Sequence, residues 1–230
     1  MANTKTPNAQ YNVAAAASLP VRIAAHARRK MYQRFIDKAQ ILAHETLLDV
    51  GVTSDQTYEA SNYLEAWYPI KSKITAVGLD DAAFLEQIYP GMTYRRANGL
   101  DLPFADRSFD VVHSSAVLEH VGNHANQRRL VGELTRVARR FVFLTTPNRW
   151  FPVEFHSVLP LVHWLPKAVF RRLLRHTRYD FFSREENLNL VGSAELRRLC
   201  TGLDGWKVEV EGQRLLGWPS NLLAILSRPD

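Results

Sequence analysis

One cysteine, Cys200, occurs in 230 residues, which excludes a disulfide framework within the chain. No apolar run reaches the ~18 residues needed to span a bilayer. The longest candidate, Val158 to Leu165, is broken by Pro160 and His163. The opening stretch has no charged segment followed by an apolar core, so it is not expected to be a signal peptide. Internal repeats are lacking, and Ala14–Ala17 is the only low-complexity run. No metal site is read from the sequence. These absences point to a soluble, cytoplasmic α/β protein. What is present is an apolar fraction large enough for a core and a net charge of +6, which favours acidic partners. The basic excess gathers at Arg28–Lys30, at Arg136, Arg139 and Arg140, and from Lys167 to Arg178. Solvated helix faces account for the first two groups.

Periodicity divides the chain into a loose tail over 1–17 and one domain over 18–230. Ser18 is placed to cap a helix whose first turn holds Pro20, with Val21, Ile23, Ala24, Ala27, Met31 and Phe35 forming its apolar stripe. Strands are expected at Thr46–Val50, Lys73–Leu79, Thr93–Arg96, Phe109–Ser114 and Phe141–Thr145. Helices are expected at Tyr58–Trp67, Ala82–Ile88 and Gln127–Ala138. This alternation predicts a doubly wound, mostly parallel sheet with helices on both faces. In the tail, Ser193 would cap a helix over Ala194–Cys200. Trp206–Val210 and Leu222–Ser227 would pair antiparallel at one sheet edge.

In such sheets a ligand sits beyond the carboxyl ends of the strands, where strand order reverses. The polar residues at those ends are therefore the candidates: Asp49 and Gly51 after the first strand, Asp80 and Asp81 after the second, Asn98 and Gly99 after the third, and Ser114 and Ser115 after the fourth. A carboxylate at Asp80 can accept both hydroxyls of a ribose, and the Asn98 amide can read an adenine edge. Each has a structural alternative. Asp49 can cap the turn after it, and Asp80 can cap a helix beginning at Asp81.

The fourth block, Leu102-Pro103-Phe104-Ala105-Asp106-Arg107-Ser108-Phe109-Asp110-Val111-Val112, runs on to Ser114-Ser115 and then Val117-Leu118-Glu119-His120-Val121. It resembles the corresponding block of the class I S-adenosylmethionine-dependent methyltransferases, and the resemblance covers roughly Leu47 to Thr146. It implies a seven-stranded sheet with an antiparallel edge strand and S-adenosyl-L-methionine as cofactor. Asp80 would bind the ribose, Asn98 would stand where the family usually has an acidic residue, and Ser114 and Ser115 would lie beside the sulfonium. One departure stands out. The family's first loop usually runs Asp-x-Gly-x-Gly-x-Gly, whereas Asp49-Val50-Gly51-Val52-Thr53-Ser54-Asp55 keeps only the first glycine. Thr53 and Asp55 either contact the cofactor's amino-acid end, with Asp55 facing its ammonium, or mark a scaffold that has lost the cofactor. The same loop is not G-x-G-x-x-G, which argues against a nicotinamide dehydrogenase.

A hydroxyl acceptor benefits from a base near neutral pKa, and His120, His156 and Glu154 are the candidates. The alternative for His120 is a helix-start residue satisfied by backbone. Ser114-Ser115-Ala116-Val117 is not the Asn/Asp-Pro-Pro-Tyr/Phe signature of many nucleic-acid amino-group methyltransferases, so a nucleic-acid acceptor is the weaker reading. The aromatic stretch from Arg149, through Trp150, Phe151 and Phe155, continues to residue 178 as a lid-like insertion. Within it, Lys167–His176 reads as an amphipathic helix, with Val169, Phe170, Leu173 and Leu174 on one face and Lys167, Arg171, Arg172 and Arg175 on the other. It would either pack on the domain or rest on an anionic inner-membrane surface. The expected acceptor is a small, apolar or lipid-linked molecule methylated on oxygen.

Overall fold

The computed structural model describes residues 19–56 and 59–229, with side chains described over 22–56 and 60–229. The expected tail over 1–17, the Ser18 cap and the side chains of Pro20, Val21 and Tyr58 lie outside those residues. Seven strands form one sheet: β1 (Leu47–Val50), β2 (Ile74–Gly78), β3 (Thr93–Arg96), β4 (Phe109–Ser115), β5 (Ala138–Pro147), β6 (Lys207–Leu215) and β7 (Trp218–Ser227). Their order is β3-β2-β1-β4-β5-β7-β6. The first five are parallel, and β7 runs antiparallel to both β5 and β6. The reversed strand thus lies inside the sheet, and β6 forms the edge. Both hairpin strands run longer than their apolar stretches suggested. The turn between them places Leu216 and Gly217 at φ +50° and +83°, a pair of left-handed residues that matches strand twist.

Burial explains the strand sequences. All four residues of β1 are buried, as a parallel strand covered on both faces requires. Alternate residues serve opposite cores. Leu47, Ala76, Val111, Phe141 and Phe143 face one side, whereas Leu48, Val50, Val77, Val112 and Leu144 face the other. At the two edges, β3 and β6 are largely exposed and carry charges that blunt further pairing.

Helices close each face. On one side α1 (Leu19–Ala39) buries Ala27, Met31, Phe35 and Ala39. Complete burial of a side chain the size of Phe35 is worth ~1.5–3 kcal/mol. Salt bridges Arg34–Glu211 and Lys38–Glu209 hold that helix to the β6 edge. On the other side lie α4 (His124–Val137), which buries Leu130, Val131, Leu134 and Val137, and α6 (Ser193–Leu199). Asn123 caps α4 by accepting the Asn126 N–H. The cap of α6 is Gly192 and not Ser193, because Glu195 reaches back to accept the Gly192 N–H at 2.9 Å. The expected helix over 58–67 is a 3₁₀ turn followed by α2 (Tyr63–Trp67), and α3 is confined to Phe84–Ile88.

Between β5 and α6 the chain folds over the carboxyl ends of the central strands. This segment carries α5 (Lys167–Leu174) and has its own small core of Phe170, Leu174, Phe182, Leu188 and Leu190. The insertion therefore packs as a unit reaching past residue 178. Strand order reverses between β1 and β4, so the cleft of the domain opens there, under this segment.

Candidate functional site

The loop after β1 is held down on β2. The N–H groups of Gly51 and Val52 both donate to the Val77 carbonyl. Two glycines are required by space. Gly51 has φ +114°, and a Cβ there would lie 2.0 Å from Val117 Cγ2; at Gly78 it would lie 2.3 Å from the Val52 carbonyl oxygen. Where later glycines would stand, side chains shape the loop. Asn62 accepts the Thr53 N–H and donates to the Thr53 carbonyl. Thr53 Oγ1 accepts the Asp55 N–H, and Ser61 Oγ donates to Asp55 Oδ2 at 3.0 Å. Ser54 Oγ donates to Asp80 Oδ2 at 3.2 Å.

A cleft of about 1120 Å³, open mouth included, runs from this loop to the exit of β4. Of the ten residues expected to bind cofactor, Gly51, Thr53, Asp55, Asp80, Asn98, Gly99 and Ser115 line it. Three do not. Asp49 is buried and turned inward to His113, Asp81 is exposed and accepts the Ala83 N–H, and Ser114 Oγ donates to the buried Val50 carbonyl. Asp81, not Asp80, therefore steadies the turn into α3. Ser114 and Ser115 face opposite ways because side chains alternate along a strand.

Asp49 belongs to a buried polar group with Glu65, His113 and Tyr63. His113 Nδ1 lies 2.6 Å from Asp49 Oδ1, and its Nε2 lies 2.9 Å from the Tyr63 hydroxyl. Burial pushes the Asp49 carboxyl up to about 7. Burial, reinforced by the Asp49 charge, raises Glu65 well above the carboxylate range. Burial also lowers His113 to about 4 and so keeps it neutral.

The opposite wall gathers the three residues expected to take a proton. Glu154 Oε1 sits 2.6 Å from His156 Nδ1, and His156 Nε2 sits 3.1 Å from His120 Nε2. His120 Nδ1 lies 2.7 Å from the Asn187 carbonyl, which can only accept, so that nitrogen carries the hydrogen. His120 comes from the turn after β4, and Glu154 and His156 come from the loop after β5. The paired carboxylate overcomes burial and raises His156 above the ordinary histidine value. Burial alone would raise the Glu154 carboxyl, but the adjoining His156 and the hydrogen bonds from His156 and Ser157 together outweigh it and hold the group down at about 2. Burial and the neighbouring His156 lower His120 to about 3.

Several contributors escaped the sequence reading. Arg28 lines both this cleft and an adjoining pocket under α1, where Ala24, Ala27, Met31, Pro147 and Phe155 meet the polar Ser115, Thr145, His156 and Asn221. Glu119 also faces that pocket. Ala116, between the two, adopts φ +56°, a strained backbone of the kind found at functional sites. Arg28 turns into the cleft, while Arg29 and Lys30 remain on the exposed face of α1; Arg139, also exposed, and Arg140 lie on β5 and not on a helix face. Arg29 stacks 4.1 Å over Trp67. Arg136 bonds Glu133 and Asp106, Arg139 bonds Asp110, and Arg140 bonds Glu45. On α5, Phe170 and Leu174 pack inward, whereas Val169 and Leu173 remain exposed. Arg171 pairs with Glu185.

Residues 48–143 match a family model described as a methyltransferase domain. No curated protein sequence matches the chain. Among solved structures, it is similar to magnesium protoporphyrin IX methyltransferase (ChlM) from Synechocystis PCC 6803 with bound SAH. The TM-score is 0.59 at 12% identity, over 93% of this chain and 89% of that one. It is also similar to the N-methyltransferase NodS from Bradyrhizobium japonicum WM9 in complex with S-adenosyl-L-homocysteine, with TM-score 0.57, 12% identity and coverage of 93% and 90%. A third likeness is to SpnF, described as a [4+2]-cyclase, with TM-score 0.58, 12% identity and coverage of 95% and 86%. At such identities the likeness concerns the fold, which hosts more than one chemistry.

Proposed function

We propose that this chain, whose residues 48–143 match a methyltransferase-domain model, is a class I S-adenosylmethionine-dependent methyltransferase that methylates an oxygen of a small, largely apolar acceptor. The carrying observation is the Glu154–His156–His120 chain in the cleft wall, with an adjoining pocket that shares His156 and is walled on one side by Ala24, Ala27, Met31 and Phe155.

The residues present fit the cofactor. Gly51 and Gly78 let the loop after β1 pack tightly against Val117 and β2, which leaves the cleft open beside it, and Asp80 brings a carboxylate to the end of β2. Asp80 would hold the ribose, Asn98 and Gly99 the adenine, and Thr53 and Asp55 the amino-acid end. Bound there, S-adenosyl-L-methionine supplies an electrophilic methyl group. The protein's task is alignment and proton handling. Ala24, Ala27, Met31 and Phe155 exclude water from the acceptor pocket, which raises the worth of each polar contact inside it. His156, oriented through Nδ1 by Glu154, receives the acceptor's hydroxyl proton at Nε2. The imidazolium so formed is stabilised by the adjacent carboxylate.

The test follows labelled methyl from S-adenosylmethionine into matched panels of phenols, aliphatic alcohols, amines and thiols. Label is expected in the hydroxyl panels. The rate should fall as pH drops through the His156 pKa, which lies above that of ordinary histidine. His156→Ala should lose ~10²–10⁴-fold in turnover while still binding S-adenosylhomocysteine. Transfer confined to amines, with a pH profile untouched in His156→Ala, defeats the oxygen reading.

A further inference from the structure

Glu119, His120 and His156 converge at the junction of the cleft and the adjoining pocket. One potential ligand atom from each lies within 4.8 Å of the others. We propose that these three side chains bind one divalent transition-metal ion, for which zinc is the natural probe.

The hydrogen bonding carries the argument. Both imidazoles commit Nδ1 outward, His120 to the Asn187 carbonyl and His156 to Glu154. In neutral rings the two Nε2 lone pairs then face each other across 3.1 Å, an arrangement that requires a positive centre between them. A proton on His156 answers for the pair of rings. It does nothing for Glu119, which is fully buried: Oε2 accepts from Thr146 Oγ1, and Oε1 has no hydrogen-bond partner. That oxygen stands 3.9 Å from His120 Nε2. A metal ion would satisfy all three atoms at once.

The distances suit this. Two nitrogens ~2.1 Å from one ion, at angles between tetrahedral and right-angled, are about 3.0–3.4 Å apart. The carboxylate oxygen, 3.9 Å from His120 Nε2, must move inward to share the ion. Two imidazoles and a carboxylate select zinc and its first-row neighbours over magnesium and calcium, which prefer all-oxygen shells. The outer hydrogen bonds already orient both rings, as metal-ligating histidines require. Three protein ligands leave a fourth position open, the pattern of catalytic and not structural zinc.

The ion's use in the reaction rests on the oxygen-acceptor reading; the site itself does not. An acceptor hydroxyl at the open position would be acidified. Its O–H bond breaks, the proton leaves to water, and the electron pair stays on the ion-bound oxygen. His156 is then a ligand instead of the base.

The experiment uses the whole chain, stripped with a chelator and titrated with Zn²⁺ by calorimetry and with Co²⁺ by visible spectroscopy. One ion per chain is expected, with Co²⁺ absorption bands of a nitrogen-and-oxygen site. Glu119→Gln should weaken uptake by more than tenfold. Glu154→Gln, which removes only an outer hydrogen bond, should weaken it by roughly 10–100-fold. S-adenosylhomocysteine affinity, measured alongside, should be unchanged in both, which separates failure of the metal site from failure of the methyltransferase reading. Absence of stoichiometric Zn²⁺ or Co²⁺ uptake by the unaltered protein overturns the proposal, whatever the variants do. So does equal uptake by His156→Ala that remains folded by circular dichroism.

Discussion

The two walls of the cleft are built by different means. The wall at the ends of β1, β2 and β3 is made of short loops, each following its own strand, and its chemistry comes from single side chains such as Asp80 together with backbone close-packed at Gly51 and Gly78. The wall at the ends of β4 and β5 is assembled from residues brought together over up to 67 positions of sequence, as in the bond from His120 to Asn187. Its ionisable groups are buried and mutually dependent. The first design tolerates change at one position if another side chain fills in, as Asn62 and Ser61 do for the missing glycines. In the second, loss of one member leaves a buried partner unsatisfied, which is costly. Substitutions should thus be local in effect on the first wall and spread on the second.

Asp80→Ala gives the largest expected change on the first wall. Removing a charge-assisted pair of hydrogen bonds costs ~2–3 kcal/mol, so S-adenosylhomocysteine should bind about 30–150-fold more weakly with thermal stability kept. Unchanged affinity by calorimetry removes Asp80 from the site. Asp55→Asn should weaken the same ligand by about 1 kcal/mol, the scale of one hydrogen bond, and Thr53→Gly should do less. If neither matters, this loop is an architectural replacement for the glycines without contact to the cofactor.

Beneath the first wall, the buried Asp49–Glu65 pair provides a pH test. Both carboxyls have folded pKa values above their unfolded ones, so the stability they contribute is present at low pH and lost as pH rises through the folded values, about 7 for Asp49. His113, lowered to about 4, acts in the opposite sense, but its contribution is complete once pH exceeds the ordinary histidine value. Above about pH 6.5 the carboxyls act in the same sense as His156, whose value is also raised, and the melting temperature should decline. Glu65→Gln should flatten that decline. A parent-like slope in the variant assigns the effect elsewhere.

The smallest effect is expected from α5. Phe170 and Leu174 already pack within the overlying segment, and Arg171 is paired, which leaves Val169, Leu173, Arg172 and Arg175 outward. Co-sedimentation with phosphatidylserine vesicles should be weak at low salt, vanish with added salt, and be lost when Arg172 and Arg175 become Gln. Equal binding to neutral vesicles excludes an electrostatic contact. Among the described residues no helix is long and apolar enough to cross a membrane.

The sheet was legible because its signal is local. Apolar runs bounded by polar turns mark buried parallel strands, and β1 to β5 appear within a few residues of their expected bounds. The hairpin's length was less legible, since β6 alternates charged and apolar residues along an exposed edge. Six of the expected residues face the cleft on the first wall, and Ser115 on the second, because strand ends determine where side chains emerge. Ser114 failed by the alternation of β4, a register that packing against β1 decides.

By itself the sequence determined the order of strands and helices, the place of the cleft and the carboxylate at the end of β2 that faces it, all consequences of short-range pattern and of where polar residues follow apolar runs. Only the tertiary structure decided the partnerships. It turned Asp49 inward, drew Arg28 out of a basic cluster into the cleft, and set Glu119 beside His120 and His156. Such contacts depend on long-range register and burial, and neither is encoded in the spacing of the residues that make them.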